Sequence, residues 1–540
     1  MTIRQRTRRL SALAIAAGIA AATFLTPAAV ADQQDTGGDV AAALGWGDCP
    51  AGTAPGNPLL QCATLAVPLD YDDPDGRTIE IMISRLPSQN PERRRGILIT
   101  NPGGPGGSGL SMPADLQALG APSSLLESYD IIGMDPRGVG HSTPVSCGFT
   151  TDQEYLSNIP QWAADQEEVN HYAEVVKGVA EQCAAADTEG LLPHLSSANT
   201  ARDLEQIRTA FGEDKINFFG VSYGTALGST YASLFPERTD RMIIDSNVGG
   251  TAFGRDAFRR MARGAEEGFG TFAGWAAARH DSYGLGRTER QVRQTWFRLA
   301  EQLDAEPVTD INGKLFRLIS FGMLYKEDTF PTLAQLWQSL AEGDEAAVRH
   351  YLAKDAPEGI RAAVTTSDQP QPSPNDNALS SFLAVTCNDS RWSRDVDSYQ
   401  RSVAEDRKKY PLFGAAAANI TPCAFWPHDG EEIALVDEGP RNIMIMQNQI
   451  DVATPYIGGI LARKGFGDRS RLVSVDGYRH GVYLFDDNPC ALNVGTAYLV
   501  DGEFPRRDLH CRAERDSGLA LNADRLRLRE QTLEKLGPRL

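Results

Sequence analysis

The stretch Gly220-Val221-Ser222-Tyr223-Gly224 constrains this chain more than any other. Before it, Lys215-Ile216-Asn217-Phe218-Phe219 has the apolar character of a short buried strand. After it, Thr225 to Ala232 reads as a helix start rich in small residues. A strand that turns into a helix at a single serine is sharp and strained, and the two glycines spare it the Cβ atoms that would collide there. The Ser222 hydroxyl is thereby raised above the edge of a sheet. The pentapeptide alone is a weak signal, and without chemistry it would be a glycine-rich turn. The strand and helix around it make it specific.

The chain supplies a sheet of the required kind. Thr78–Ser84 alternates as a half-buried strand does, whereas 96–100, 130–135, 241–245, 442–446 and 471–475 are continuous apolar runs. A helix capped by Asn199 carries an apolar stripe of Ala201, Leu204, Ile207, Ala210 and Phe211. Buried strands alternating with helices imply a mostly parallel α/β sheet covered on both faces. From Gly249-Gly250 to about Asp429 the pattern changes to amphipathic helical stretches. The expected organisation is a first core part at 32–249, a helical insertion at 250–430, and a C-terminal core part at 431–540.

The first 31 residues read as a secretory signal peptide. Arg4, Arg6, Arg8 and Arg9 precede an Ala-rich apolar stretch, and Ala29-Val30-Ala31 suits cleavage before Asp32. Eight cysteines behind such a segment point to disulfides. Eight allow 105 pairings; we favour the sequence neighbours Cys49–Cys62, Cys147–Cys183, Cys387–Cys423 and Cys490–Cys511, each closing a local loop. The absence of Cys-x-x-Cys argues against zinc, and no cofactor is expected. The net charge of −19 argues against nucleic acid as a partner and suits cationic ligands such as free peptide amines. No later run is long and apolar enough to span a membrane. The expected location is outside the cell, free or held at the wall.

A serine becomes a nucleophile when a base takes its proton and an acid holds that base. Asp451 follows strand 442–446, and His480 follows strand 471–475. Ser222, Asp451 and His480 would then all stand at the carboxyl ends of strands, where open α/β sheets place their sites. Asp245, also ending a strand, is the rival acid, with a tie to the insertion junction as its plainer role; Asp476 reads as a turn residue. Two aimed backbone N–H groups would complete the site. Tyr223 offers one. The glycine-rich loop 101–109 offers the other, from Gly104 or, second, Gly103. That loop lacks the Gly-Lys-Ser/Thr ending of a phosphate loop. Arg137 is expected to pair with a carboxylate and brace this loop.

Asn101-Pro102-Gly103-Gly104-Pro105-Gly106-Gly107-Ser108-Gly109, Asp135-Pro136-Arg137-Gly138-Val139-Gly140, Gly220 to Thr225 and Asp451-Val452-Ala453-Thr454-Pro455 resemble the secreted tripeptidyl aminopeptidases of actinomycetes. These belong to the proline iminopeptidase branch of the α/β-hydrolases. The likeness runs through nearly the whole mature chain, including the cysteine pattern and Ala384 to Asp389. It implies an α/β-hydrolase fold, a Ser222–Asp451–His480 triad, and release of short peptides, typically tripeptides, from free N-termini. Two positions depart from relatives: Tyr456-Ile457, where Glu often stands shortly after Thr-Pro, and Arg479 before His480.

An enzyme that counts residues from the substrate amine needs a carboxylate at a fixed distance, and Asp389 is the candidate. The substrates expected are therefore peptides or proteins with free N-termini. A secreted esterase or lipase of the same fold would use the same triad; the Gly-Gly-Pro-Gly loop and the acidic balance favour peptides. A binding protein of this fold fits less well, because such proteins usually lose a member of the triad.

Overall fold

The structure is a computed structural model describing residues 44–155, 157–356, 361, 371–513, 528 and 531–532. The segment read as a signal peptide lies outside the described residues. One ten-stranded sheet organises the chain, in the order β1-β2-β3-β5-β4-β6-β7-β8-β9-β10. Strands β1 (Gly47–Asp48), β2 (Gln61–Pro68), β3 (Thr78–Leu86) and β5 (Asp130–Met134) pair antiparallel. From β5 through β4 (Ile97–Asn101), β6 (Ile216–Val221), β7 (Thr239–Asp245), β8 (Ile443–Ile450), β9 (Ser470–Tyr478) and β10 (Leu509–Cys511), every pairing is parallel.

Burial explains the two textures. Every residue of β4, β5 and β6 is buried, as are the first six of β8 and of β9, so these strands read as unbroken apolar runs. Strand β3 lies near the antiparallel edge and alternates exposed and buried positions from Thr78 to Ile81. All four disulfides join the expected neighbours: Cys49–Cys62, Cys147–Cys183, Cys387–Cys423 and Cys490–Cys511.

The longer helices are α1 (Gln166–Ala186), α2 (Ser197–Ala210), α3 (Tyr223–Leu234), α4 (Arg255–Ala277), α5 (Glu289–Ala305), α6 (Gly313–Met323), α7 (Phe330–Glu342), α8 (Glu345–Lys354), α9 (Asp376–Asn388), α10 (Val396–Lys409), α11 (Ile457–Phe466) and α12 (Pro489–Asp501). Helices α4 to α10 lie between β7 and β8. Helix α1 belongs with them in packing: its Tyr172 and Val176 share an apolar cluster with Tyr399 and Val403 of α10. Lys314 of α6 pairs with Glu168 of α1 at 3.2 Å. The helical layer thus draws on residues well before 250.

Two local expectations are corrected. The cap of α2 is Ser196, whose hydroxyl accepts the Asn199 N–H at 3.2 Å; Asn199 stands inside the first turn. Asp476 is a residue of β9, paired with His510 Nε2 at 2.5 Å.

Arg137 pairs with a carboxylate as expected, but away from the glycine-rich loop. Its guanidinium donates to Asp203 of α2 at 2.6 and 2.8 Å and to the carbonyls of Pro68, Leu69 and His194. It therefore locks the end of β2 to α2. Asp135 braces the glycine-rich loop, accepting Ser108 Oγ at 2.5 Å and the Gly109 N–H at 3.1 Å. The Arg137 and Asp203 side chains are both fully buried, so Asp203→Ala should leave an uncompensated cation in the core. We predict a loss of about 3–5 kcal/mol, read as a lower denaturant midpoint by circular dichroism.

Candidate active site

Ser222 ends β6 and opens α3 with φ +59° and ψ −124°, a conformation costing a non-glycine residue on the order of 1–3 kcal/mol. Neighbouring bonds hold it there. The Ser222 N–H donates to the Asp245 carbonyl at 3.0 Å, and the Ser222 carbonyl accepts the Thr225 N–H at 2.9 Å and Thr225 Oγ1 at 2.6 Å. The glycines are there for space. A Cβ on Gly224 would stand 2.6 Å from the Asn101 carbonyl, and one on Gly228 would stand 2.5 Å from the Phe218 ring. The small residues of α3 let it lie close against its own strand.

Asp451 and His480 meet. His480 Nδ1 lies 3.0 Å from each oxygen of the Asp451 carboxylate, which is almost fully buried. The same carboxylate accepts the N–H groups of Ala453 and Thr454 at 3.0 and 2.8 Å and the Thr454 hydroxyl at 2.9 Å. Its orientation is over-determined. Burial pulls the His480 pKa down, but the Asp451 charge and hydrogen bond, with Asp245 behind them, outweigh it and hold the pKa above the ordinary 6.5. With Nδ1 occupied, Nε2 is the nitrogen left to exchange a proton with a hydroxyl.

The His480 loop and the Ser222 turn share one anchor, the end of β7. The Asp245 carboxylate accepts the N–H groups of Val482, at 3.0 Å, and Tyr483, at 2.6 Å. Ser246, at φ +57°, accepts the Gly481 N–H at 2.8 Å. Asp245 is therefore neither the acid partner of His480 nor mainly a tie to the helical segment: it positions the loop that carries His480. Burial pushes its carboxyl up to about 7, against the pull of the Tyr483 and Val482 N–H groups.

Loop 101–109 lies against Ser222. A Cβ on Gly103 would meet the Val221 carbonyl at 2.6 Å, Ser222 Cβ at 2.9 Å and the Tyr223 nitrogen at 3.2 Å. The Gly103 N–H is already donated to Asn101 Oδ1 at 3.0 Å, which leaves Gly104, at φ +112°, the better placed of the two candidate donors. From the other side, a Cβ on Gly106 would touch the Ala378 carbonyl of α9 at 2.6 Å. Helix α9 thus backs the loop.

Asp389, at the end of α9, is not placed to meet an amine from solvent. It is 4% exposed, and its oxygens accept the Ser197 N–H at 2.7 Å and the Ser197 hydroxyl at 2.5 Å. Ser197 Oγ lies in turn 2.6 Å from the Tyr223 hydroxyl. Burial pushes Asp389 up to about 7, against the pull of the Ser197 bonds. Asp389 stands behind Tyr223 as a support.

The helical segment reaches the site at two places unmarked by any sequence motif. The Tyr325 carbonyl accepts the His480 N–H at 3.3 Å, and its ring meets the imidazole edge-on at 5.6 Å between centroids. In α4, Gly264 and Gly268 clear room for Asp451-Val452 and for the Tyr478 hydroxyl. Tyr325 was not singled out by the sequence, whereas Thr454 was marked as part of the 451–455 motif, without its role in holding Asp451.

Residues 410–511 match the family described as "TAP-like protein", and residues 96–316 match "alpha/beta hydrolase fold". The chain is 32% identical over 503 residues to the tripeptidyl aminopeptidase of Streptomyces coelicolor, covering 89% of each chain. The chain belongs to the tripeptidyl aminopeptidase family of α/β-hydrolases. It is also 29% identical over 496 residues to serine protease Hip1 of Mycobacterium tuberculosis, covering 86% of this chain and 90% of that one. To a carboxylesterase B of the same organism it is 27% identical over 465 residues, covering 84% and 86%. The family membership makes this protein a serine peptidase acting on peptide substrates. The four disulfides fit a secreted protein, and no helix among the described residues is long and apolar enough to cross a membrane.

The raised His480 pKa gives a pH prediction. Protonated His480 cannot take a proton, so kcat/KM should fall as pH drops, with an apparent pKa above 6.5. Asp451→Asn should remove the stabilising charge and lower kcat on the order of 10⁴-fold. Stopped-flow rates across pH check both.

Proposed function

We propose that the protein is a secreted serine exopeptidase that releases short peptides, tripeptides by preference, from free N-termini. The observation that carries this reading is the likeness to a tripeptidyl aminopeptidase over nearly the full length of both chains. The paired Asp451 and His480 at the carboxyl edge that also bears Ser222 supply the machinery.

In this mechanism Ser222 Oγ attacks the scissile carbonyl while His480 Nε2 takes its proton. Asp451 holds the imidazole by Nδ1 and stabilises the imidazolium that forms. The N–H groups of Tyr223 and Gly104 receive the oxyanion. The tetrahedral intermediate collapses as His480 gives the proton to the leaving amine, producing an acyl-enzyme on Ser222. Water, deprotonated by His480, then releases the peptide acid and restores the serine. The helical segment at 250–430, with Tyr325 over the His480 ring, serves as the cap that limits how far a chain extends past Ser222.

The second reading is an esterase, motivated by the carboxylesterase B relative. One peptide offered free and N-acetylated, with products read by mass spectrometry, separates the two. The exopeptidase reading predicts tripeptide release from the free form alone and loss of at least about 10⁴-fold in rate in Ser222→Ala. Cleavage of both forms would indicate an endopeptidase. Hydrolysis of a simple ester with neither peptide cleaved would favour the esterase.

A further inference from the structure

The loop carrying His480 has a second strap besides Asp245. Asn448, a fully buried residue of β8, donates its amide nitrogen to the Arg479 carbonyl at 2.9 Å and the Gly481 carbonyl at 3.1 Å. It therefore grips the backbone on both sides of His480. The two carbonyls also fix the amide orientation, because the reverse rotamer would set an oxygen against two oxygens. The Asn448 carbonyl oxygen must then point the other way.

It points toward another acceptor. A Cβ on Gly477 would collide with both Asn448 Oδ1 and Asp486 Oδ2, so the two oxygens converge on one point. Both atoms are buried, and neither has a hydrogen-bond donor among the described residues. The other oxygen of Asp486 accepts the Asp487 N–H at 2.7 Å. Two acceptors facing each other in a buried place repel unless a proton lies between them, and a carboxylic acid is the only one of the two groups that can carry it.

We propose that Asp486 stands as a neutral carboxylic acid whose Oδ2–H is donated to Asn448 Oδ1, making Asp486 a positioning residue for the His480 loop. The positioning role rests on the reading of His480 as the general base; the protonated carboxyl does not. The surroundings agree. Burial and the neighbouring Asp487 charge raise the Asp486 pKa, opposed by the Asp487 N–H and the Arg479 charge. Asp328 takes up part of that Arg479 charge in an ion pair at 2.8 Å, and exposed Glu327 of the helical segment feels the charge of Asp486. When Asp486 ionises at higher pH, the proton is lost, the two oxygens repel, and the strap loosens.

The test uses the full mature protein and two variants. Infrared difference spectra between wild type and Asp486→Asn, at mildly acidic pH, should show a protonated-carboxyl C=O band that the variant lacks. In Asp486→Asn the amide keeps a donor to Asn448 at every pH. Its kcat should stay near wild type at neutral pH and should fall less on the alkaline side. Asp486→Ala, checked for folding by circular dichroism, should lose about tenfold in kcat with little change in KM, the worth of one buried hydrogen bond. Absence of the band would overturn the proposal even if the protein proves to be an esterase, since a water or cation would then separate the oxygens. Asp486→Asn falling as far as Asp486→Ala would overturn the positioning role.

Discussion

The site depends on the carboxyl end of β7. There the Asp245 carbonyl takes the Ser222 N–H, the Asp245 carboxylate takes two N–H groups from the loop after His480, and Ser246 takes a third. The Asn247 N–H reaches Gln447 Oε1 of β8 at 2.7 Å, tying in the strand that leads to Asp451. One tripeptide therefore sets the mutual position of three loops whose residues are far apart in sequence. A buried carboxylate is costly; here a fan of backbone N–H groups offsets part of that cost, and the return is geometry. Ser222, Ser246 and, in the loop after His480, Leu484 all sit at positive φ, so the strain of the site gathers at this anchor and in the two turns it holds.

Around the anchor, close approach is obtained by omitting side chains. Gly103 lets loop 101–109 lie on Ser222, Gly106 lets α9 lie on that loop, and Gly264 and Gly268 let α4 reach the Asp451 loop. The Cys387–Cys423 disulfide and the bonds from Asn388 to the Leu192 and Leu195 carbonyls then hold the end of α9. Asp389 and Ser197 thus arrive behind Tyr223 as parts of a fixed wall, and the helical layer acts as a support of the reactive edge.

Much of this was legible in the sequence because it follows from sterics. A serine between glycines, after a buried strand and before a small-residue helix, leaves few alternatives. The buried parallel strands announce themselves as apolar runs, and Asp451 and His480 follow two of them. The disulfides pair as local loops do. What escaped reading depends on long-range partners. Strands β1 and β10 are too short to show a period, and β2 mixes exposed and buried residues without clean alternation. Arg137 announces a buried ion pair, but only the fold shows that Asp203 is its partner and Asp135 the true brace of the glycine loop. Asp389 looks like a free acid until α9 is folded against Ser197. Asn448 and Asp245 have ordinary sequence surroundings, and their importance arises from loops more than thirty residues away.

In the mechanism proposed above, these loops assemble one serine nucleophile activated by His480. A fluorophosphonate probe with the site of labelling mapped by peptide mass tests it most directly. A single phosphonylated residue, Ser222, is expected, with labelling slowed to near background in a folded His480→Ala variant. Labelling at another residue, or at Ser222 with unchanged rate in His480→Ala, would contradict it.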